Sequence, residues 1–371
     1  MSVVWLVGVM LFLAYVNGAN DNFKGVATLF GSRTTNYRKA LWWATATTLT
    51  GSLSACLLSG GLVKAFSGNG LVPEVFTHEP VFLLSVGFGA ALTVMVATMT
   101  GLPISTTHAL TGALIGAGWV LAGSVNLVRL GQSFFVPLAI SPFLSFAFTS
   151  LLYPILRQIR TRLGIERQMC LCVDGGFLHP VHVQPDGTAV LQTTGVRLSV
   201  GQLSTCVERY HGRLIGVDAQ WMLDRAHFIS AGLVSFARGL NDTPKVVALL
   251  IAANGLGLDL SVGLLAVGVT MAIGGLLNAK RVALTMSERI TSMNHGQGFT
   301  ANFVTSLLII TASRFGLPVS TTHVSCGSLF GLGAVTRTAR WSMIRTIVLS
   351  WLATLPLAAC LAGGIMWVGR M

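Results

Sequence analysis

Gly18-Ala19-Asn20-Asp21-Asn22-Phe23-Lys24 returns in the second half of the chain as Gly239-Leu240-Asn241-Asp242-Thr243-Pro244-Lys245. Gly101-Leu102-Pro103-Ile104-Ser105-Thr106-Thr107-His108 returns as Gly316-Leu317-Pro318-Val319-Ser320-Thr321-Thr322-His323, matching at seven of eight positions. These polar strings lie inside or against long apolar runs, where a charge near a bilayer centre costs about 2.5–3.5 kcal/mol on insertion scales. A chain that keeps Asp, Lys, Ser and Thr in matching places in both halves reads as a duplicated membrane protein with one shared central site.

The composition agrees. The 371 residues are 53% hydrophobic and 10% charged, with a mean hydropathy of +0.72, against roughly 25% charged for soluble domains. So apolar a chain needs lipid around most of its surface, and its 42 glycines suit helices that pack closely or break within a membrane. The net charge of +12 gathers in a few loops, which reads as membrane orientation and not as a nucleic-acid footprint. Six scattered cysteines make no disulfide framework. The N-terminus lacks a basic n-region and a cleavage site, so its first apolar run is expected to stay in the membrane.

Apolar segments fall at 2–30, 41–64, 81–100, 102–121 and 131–156, then at 226–252, 258–278, 299–313, 316–335 and 343–368. Five crossings on each side of a polar stretch make duplicated halves insert in opposite orientations. The expected fold is therefore all-α: two inverted repeats of about five transmembrane segments each, 1–156 and 226–371, with broken helices or re-entrant hairpins. Placing 157–225 inside, with Arg157, Arg160, Arg162, Arg167, Arg197, Arg209, Arg213 and Arg225, also brings Arg33, Arg38, Lys39, Lys280, Arg281, Arg289, Arg337, Arg340 and Arg345 inside, as the positive-inside rule requires. Short alternating runs and Asp-Gly turns within 166–217 predict a small cytosolic β-rich insertion between the repeats. Cys170, Cys172, His179 and His182 stand close together there. Their C-x-C and H-x-x-H spacings miss the usual zinc pattern, and no metal site or cofactor is expected.

Asn17-Gly18 favours a turn, so the first apolar run is expected to break there and to line a cavity with loosened backbone. Each Gly-Leu-Pro stops one helix, and the hydroxyl residues after it start the next. A helix start offers free N–H groups and a positive dipole end to an anion. Two such starts, Ser105, Thr106 and Thr107 with Ser320, Thr321 and Thr322, would surround a tetrahedral oxyanion. The competing reading is plain capping. Arg238 replaces Asn17 at the matching place in the second copy, where it would grip an oxyanion or pair with Asp242.

The chain resembles the inorganic phosphate transporter (PiT) family, whose hallmark is a repeated GAND motif followed in each half by P-x-S-T-T-H. Gly18-Ala-Asn-Asp21 fits fully, Gly239-Leu-Asn-Asp242 fits with Leu for Ala, and Pro103–His108 and Pro318–His323 both fit. The resemblance implies an inverted-repeat carrier of the plasma membrane, often a homodimer, that moves phosphate with sodium or protons. It implies ion coupling at Asn20, Asp21, Asn241 and Asp242, and phosphate on the hydroxyls of both helix starts. One departure stands out. The family motif usually continues Asp-Val-Ala-Asn, whereas both copies here place lysine at the last position, Lys24 and Lys245. Each shares a helix face with its aspartate. The expectation is that both ammonium groups occupy the positions of coupling cations, so that transport is proton-coupled and sodium-independent; the alternative is that they snorkel to the interface. A sulfate permease and an anion channel of the same build are the competing functions. No nucleophile array, zinc motif or P-loop points to an enzyme.

Overall fold

The structure, a computed structural model, describes residues 2–58, 60–67, 70–168, 171–174, 180–183, 189–191, 197–200, 209–214, 216–252 and 260–371. The helices in chain order are α1 (Ser2–Asp21), α2 (Ala27–Gly31), α3 (Tyr37–Leu58), α4 (Gly60–Phe66), α5 (Glu74–Thr77), α6 (Pro80–Thr100), α7 (Thr106–Ala122), α8 (Leu127–Leu130), α9 (Val136–Arg162), α10 (Ala219–Ala252), α11 (Leu260–Asn278), α12 (Lys280–Leu284), α13 (His295–Arg314), α14 (Thr321–Thr336) and α15 (Trp341–Gly369).

The repeated Gly-Leu-Pro strings fold alike. Gly101 ends α6 at φ 74° and Gly316 follows α13 at φ 66°, in the left-handed region that glycine enters without penalty. The next N–H turns back in both places, Leu102 to the Ala97 carbonyl and Leu317 to the Ala312 carbonyl. After the proline, Ser105 caps α7 and Ser320 caps α14, each hydroxyl accepting from the backbone N–H three residues on, at His108 and His323.

Main-body packing joins α1 to α6 and α11, α7 to α6 and α15, α3 to α11, and α13 to α14. One apolar cluster holds Met10, Leu13, Phe82, Val86 and Leu110; a second holds Phe23, Leu29, Val282, Met286 and Leu329. Large apolar side chains also face outward, Phe143 at 74% and Leu352 at 70% exposure among them, as lipid-facing helices require. The chain divides into two compact units, 1–157 with 223–371, and 158–222. In the smaller unit short antiparallel pairs join Glu166–Gln168 to Arg209–His211, Leu171–Asp174 to Arg197–Val200, Pro180–Val183 to Ala189–Leu191, and Arg213–Leu214 to Val217–Asp218. Cys170 and His179 lie outside the described residues.

Two expectations change. α1 does not break at Asn17-Gly18. It runs on to Asp21, and the chain loosens only afterwards, through a 3₁₀ turn at Lys24–Val26, before α2. Packing overrides the turn signal: a Cβ on Gly18 would lie 1.9 Å from the Met271 carbonyl oxygen, so glycine is there to let α11 approach. The matching Gly239 meets the Thr48 carbonyl of α3 in the same way, at 2.1 Å. The second copy does not break at all. α10 is one helix from Ala219 to Ala252, with Pro244 inside it.

Fewer helices than the ten apolar segments are long and apolar enough to cross a membrane. Among the described residues five helical spans are long and apolar enough to cross a membrane, or six if α3 and α4, bent by 83°, form one. α7 and α14, at 17 and 16 residues, lie at or below the short end of the roughly 17–25 residues a crossing takes. α10 and α13 carry too many polar side chains in their sequences to pass.

Candidate functional site

The polar strings of both copies meet in one buried cluster. Asn20, Asp21, Lys24, Arg238, Asn241, Asp242 and Lys245 are all at most 4% exposed, as are Ser105, Thr106, Thr107, Ser320, Thr321 and Thr322. Neither lysine snorkels.

Lys24 reaches across the loosened turn after α1. Its Nζ donates to the Asp21 carboxylate, to Asn20 Oδ1 at 2.8 Å, to the Ile104 carbonyl at 2.9 Å and to Thr322 Oγ1 at 2.5 Å. Lys245 Nζ donates to Asp242 Oδ1 at 3.0 Å, to the Val319 carbonyl at 2.9 Å and to Thr107 Oγ1 at 2.7 Å. Both ammonium groups thus sit among oxygens: a carboxylate, a hydroxyl and the carbonyl just before a capping serine.

The partners are exchanged between copies. Lys24 takes its hydroxyl from the second copy's Thr322, and Lys245 takes its own from the first copy's Thr107. Each threonine hydroxyl also donates to the opposite turn, Thr107 to the Val319 carbonyl at 3.2 Å and Thr322 to the Ile104 carbonyl at 2.7 Å. The middle threonines hold the acids instead: Thr106 Oγ1 donates to Asp21 Oδ2 at 3.4 Å, and Thr321 Oγ1 to Asp242 Oδ2 at 3.2 Å. Ser105 and Ser320 spend their hydroxyl acceptors on the helix caps.

Arg238 lies 3.7 Å from Asp242, Nε to Oδ2, and donates through Nη2 to Asn17 Oδ1 at 2.8 Å and through Nη1 to Asn22 Oδ1 at 3.2 Å. Its Nε has no hydrogen-bond partner among the described residues. Asn17, its counterpart in the first copy, donates to Thr106 Oγ1 at 2.8 Å and to Asp21 Oδ2 at 3.2 Å. With all five groups ionised, three buried cations face two buried anions, an excess of one positive charge. In a low-dielectric site that excess favours binding an anion.

Several members escape the motif reading. Asn17 enters the site through its side chain and not through a helix break. Thr98 Oγ1 accepts from Asn20 Nδ2 at 3.0 Å, and Ser313 Oγ donates to Asn241 Oδ1 at 3.2 Å. Both stand three residues before the repeated glycine, Gly101 or Gly316, so extending the repeat upstream finds them. The Ile104 and Val319 carbonyls leave no mark in the sequence, because every residue has one.

A protein of Rhizobium meliloti named "Probable low-affinity inorganic phosphate transporter" is 29% identical over 97% of this chain and 94% of its own length. The "Inorganic phosphate transporter 2-1, chloroplastic" of Arabidopsis thaliana is 25% identical over 96% of this chain and 70% of its own length. A solved structure, that of "The sodium-dependent phosphate transporter", superposes with a TM-score of 0.74 over all of this chain and 99% of the other, at 20% identity, a likeness of fold. The profile of the Phosphate transporter family matches residues 17–362, which span both copies of both motifs; the chain belongs to that family and is a multi-pass protein of the plasma membrane.

Proposed function

We infer that this chain is a secondary carrier that moves inorganic phosphate by alternating access, driven by protons and independent of sodium. The observation that carries the reading is the oxygen shell around each lysine Nζ. Carboxylate, hydroxyl and loosened-backbone carbonyl are the ligand set that secondary transporters offer a coupling cation. Here a tethered ammonium fills it in both copies. A fixed cation cannot travel with the substrate, and in this reading the driving ion is a proton carried by phosphate or by Asp21 or Asp242.

The charge count supports phosphate over sulfate. An excess of one positive charge is balanced by singly charged phosphate, that is, by the dianion plus one proton. Sulfate stays doubly charged at neutral pH and would leave the buried site negative. In this reading phosphate displaces the Thr107–Lys245 and Thr322–Lys24 bonds and takes both ammonium groups, with Arg238, Thr106 and Thr321 beside it; Ser105 and Ser320 hold the helix starts that face it. Asn20, Asp21, Asn241 and Asp242 set the coupling.

The halves, 1–156 and 226–371, are read as oppositely oriented repeats. The reciprocal exchange of partners between copies supports a two-fold relation, and the basic loops support a cytosolic 157–225. The names of the relatives agree on phosphate. The sodium dependence named for the solved structure belongs to that protein.

The test is radiolabelled phosphate uptake into proteoliposomes with pH and sodium gradients imposed separately. An inward proton gradient with choline in place of sodium should drive accumulation. Accumulation that needs sodium would overturn the coupling, and sulfate competing as well as arsenate would overturn the substrate.

A further inference from the structure

His108 and His323 follow the two helix starts, and their rings lie tilted by 41° with centroids 4.5 Å apart. They line a cavity of about 470 Å³, walled by Leu138, Phe143, Phe330 and Trp351 among others and bearing no charged side chain among its lining residues. Trp351 covers the His323 ring at 3.9 Å. His323 is 4% exposed. Among the described residues neither of its nitrogens, nor Nδ1 of His108, has a hydrogen-bond partner; the Leu138 backbone comes close to the His323 ring without adequate bonding geometry.

Such unmet groups are costly, and a native site that keeps several of them together calls for a partner. The volume is that of a small-molecule pocket. Its lining is apolar apart from the two imidazoles, so the ligand must be apolar along most of its length and polar at one end. Phosphate itself does not fit, since no cation lines the cavity. A phospholipid head, its phosphate ionised, fails for the same reason, whereas a carboxylic acid enters protonated and neutral. Each neutral imidazole presents one donor and one acceptor, and two adjacent rings ask for a head with two oxygens. Phe143 of α9 and Leu352 of α15, both lining the cavity, are exposed on helices long and apolar enough to cross a membrane, which gives an apolar ligand a way in from the bilayer.

We propose that this cavity binds a long-chain carboxylic acid from the membrane, its carboxyl group on His108 and His323 and its chain along the aromatic wall. The site is independent of the phosphate reading. It is linked to the polar cluster, because Trp351 Nε1 donates to the Pro103 carbonyl at 3.1 Å, one residue before the carbonyl that holds Lys24.

Tryptophan fluorescence of the full chain in lipid nanodiscs tests it, with a dibrominated stearic acid as the probe. Quenching should saturate, and the saturable part should vanish in Trp351→Phe. The apparent Kd should rise at least about tenfold in His108→Leu/His323→Leu, the loss of one or more hydrogen bonds to a carboxyl. Val348→Trp, which fills the cavity and spares both histidines, should also abolish saturation, and serves if the double variant does not fold. Quenching that never saturates, that a dibrominated phosphatidylcholine matches, or that is as tight without the histidines would overturn the proposal. So would cross-linking of Leu352→Cys between two copies with no saturable quenching, which would assign the cavity to a second copy of the chain.

Discussion

The two copies of the Asn-Asp-x-x-Lys string build the same oxygen cage from different backbones and with different charge. In the first, the chain loosens between Asp21 and Lys24; in the second, α10 passes through Asp242 and Lys245 unbroken. Asp21 has one cation in contact, Lys24, and its other partners are the neutral Asn17 and Thr106. Asp242 has two, Lys245 and Arg238. The duplication thus fixes where oxygens and ammonium groups sit, while a single difference, Asn17 against Arg238, sets the net charge between them. Symmetry supplies the cage, and its breach supplies the excess positive charge.

The largest effect that could break this comparison comes from removing one lysine at a time. Lys24→Ala leaves Asp21 buried with neutral partners only, and stranding a buried charge costs about 3–5 kcal/mol. Lys245→Ala leaves Asp242 with Arg238, and the loss should be nearer about 1.5–3 kcal/mol, that of a charge-assisted hydrogen bond. Thermal unfolding in one detergent should therefore rank Lys24→Ala well below Lys245→Ala. Equal losses would mean that Arg238 does not compensate Asp242.

A smaller effect, and a sharper one, comes from moving the breach. Arg238→Asn makes the second copy like the first, cancels the excess positive charge and leaves the Asn17 and Asn22 side-chain carbonyls without their donor. Phosphate uptake should fall at least about tenfold, equivalent to about 1.4 kcal/mol. Asn17→Arg/Arg238→Asn restores the charge from the other side and should recover part of that loss. A double variant no better than the single one, at equal surface expression, would show that the position of the guanidinium matters and the charge count does not.

The repeat made much of this cluster legible from sequence. Two polar strings that recur inside apolar runs have to meet if each is to satisfy the other, and the structure brings Asp21, Lys24, Asp242 and Lys245 within bonding reach of Thr106, Thr107, Thr321 and Thr322. Gly-Leu-Pro-x-Ser was equally readable, because a left-handed glycine, a proline and a capping serine each have one local physical meaning. The helix break was misplaced for the opposite reason. Asn-Gly is a local turn signal, but here Gly18 answers to a neighbouring helix and Asn17 to Thr106, Asp21 and Arg238, none of which periodicity reveals. Helices fall short of a membrane span by length and composition where the site itself lies: α10 carries its charges, and α7 and α14 are shortened by starting at the hydroxyl strings.

Thr98 and Ser313 give the smallest effect and the finest test of how far the two copies match. Both are buried and both touch the motif asparagine, but in opposite senses. Thr98 only accepts from Asn20 Nδ2, which also donates to the Leu102 carbonyl at 3.1 Å, while Asn20 Oδ1 is served by Lys24 and by the Ile104 N–H. Thr98→Ala therefore removes one of several bonds and should cost about 0.5–1.5 kcal/mol. Ser313 is the donor to Asn241 Oδ1, and the Asn241 amide group is committed to Asp242 and to the Val319 carbonyl. Ser313→Ala leaves a buried acceptor unmet and should cost about 1–3 kcal/mol. Melting curves of the two variants should separate in that order. The reverse order would mean that Asn241 finds another donor once Ser313 is gone, and that the second copy's unbroken helix is the more adaptable of the two.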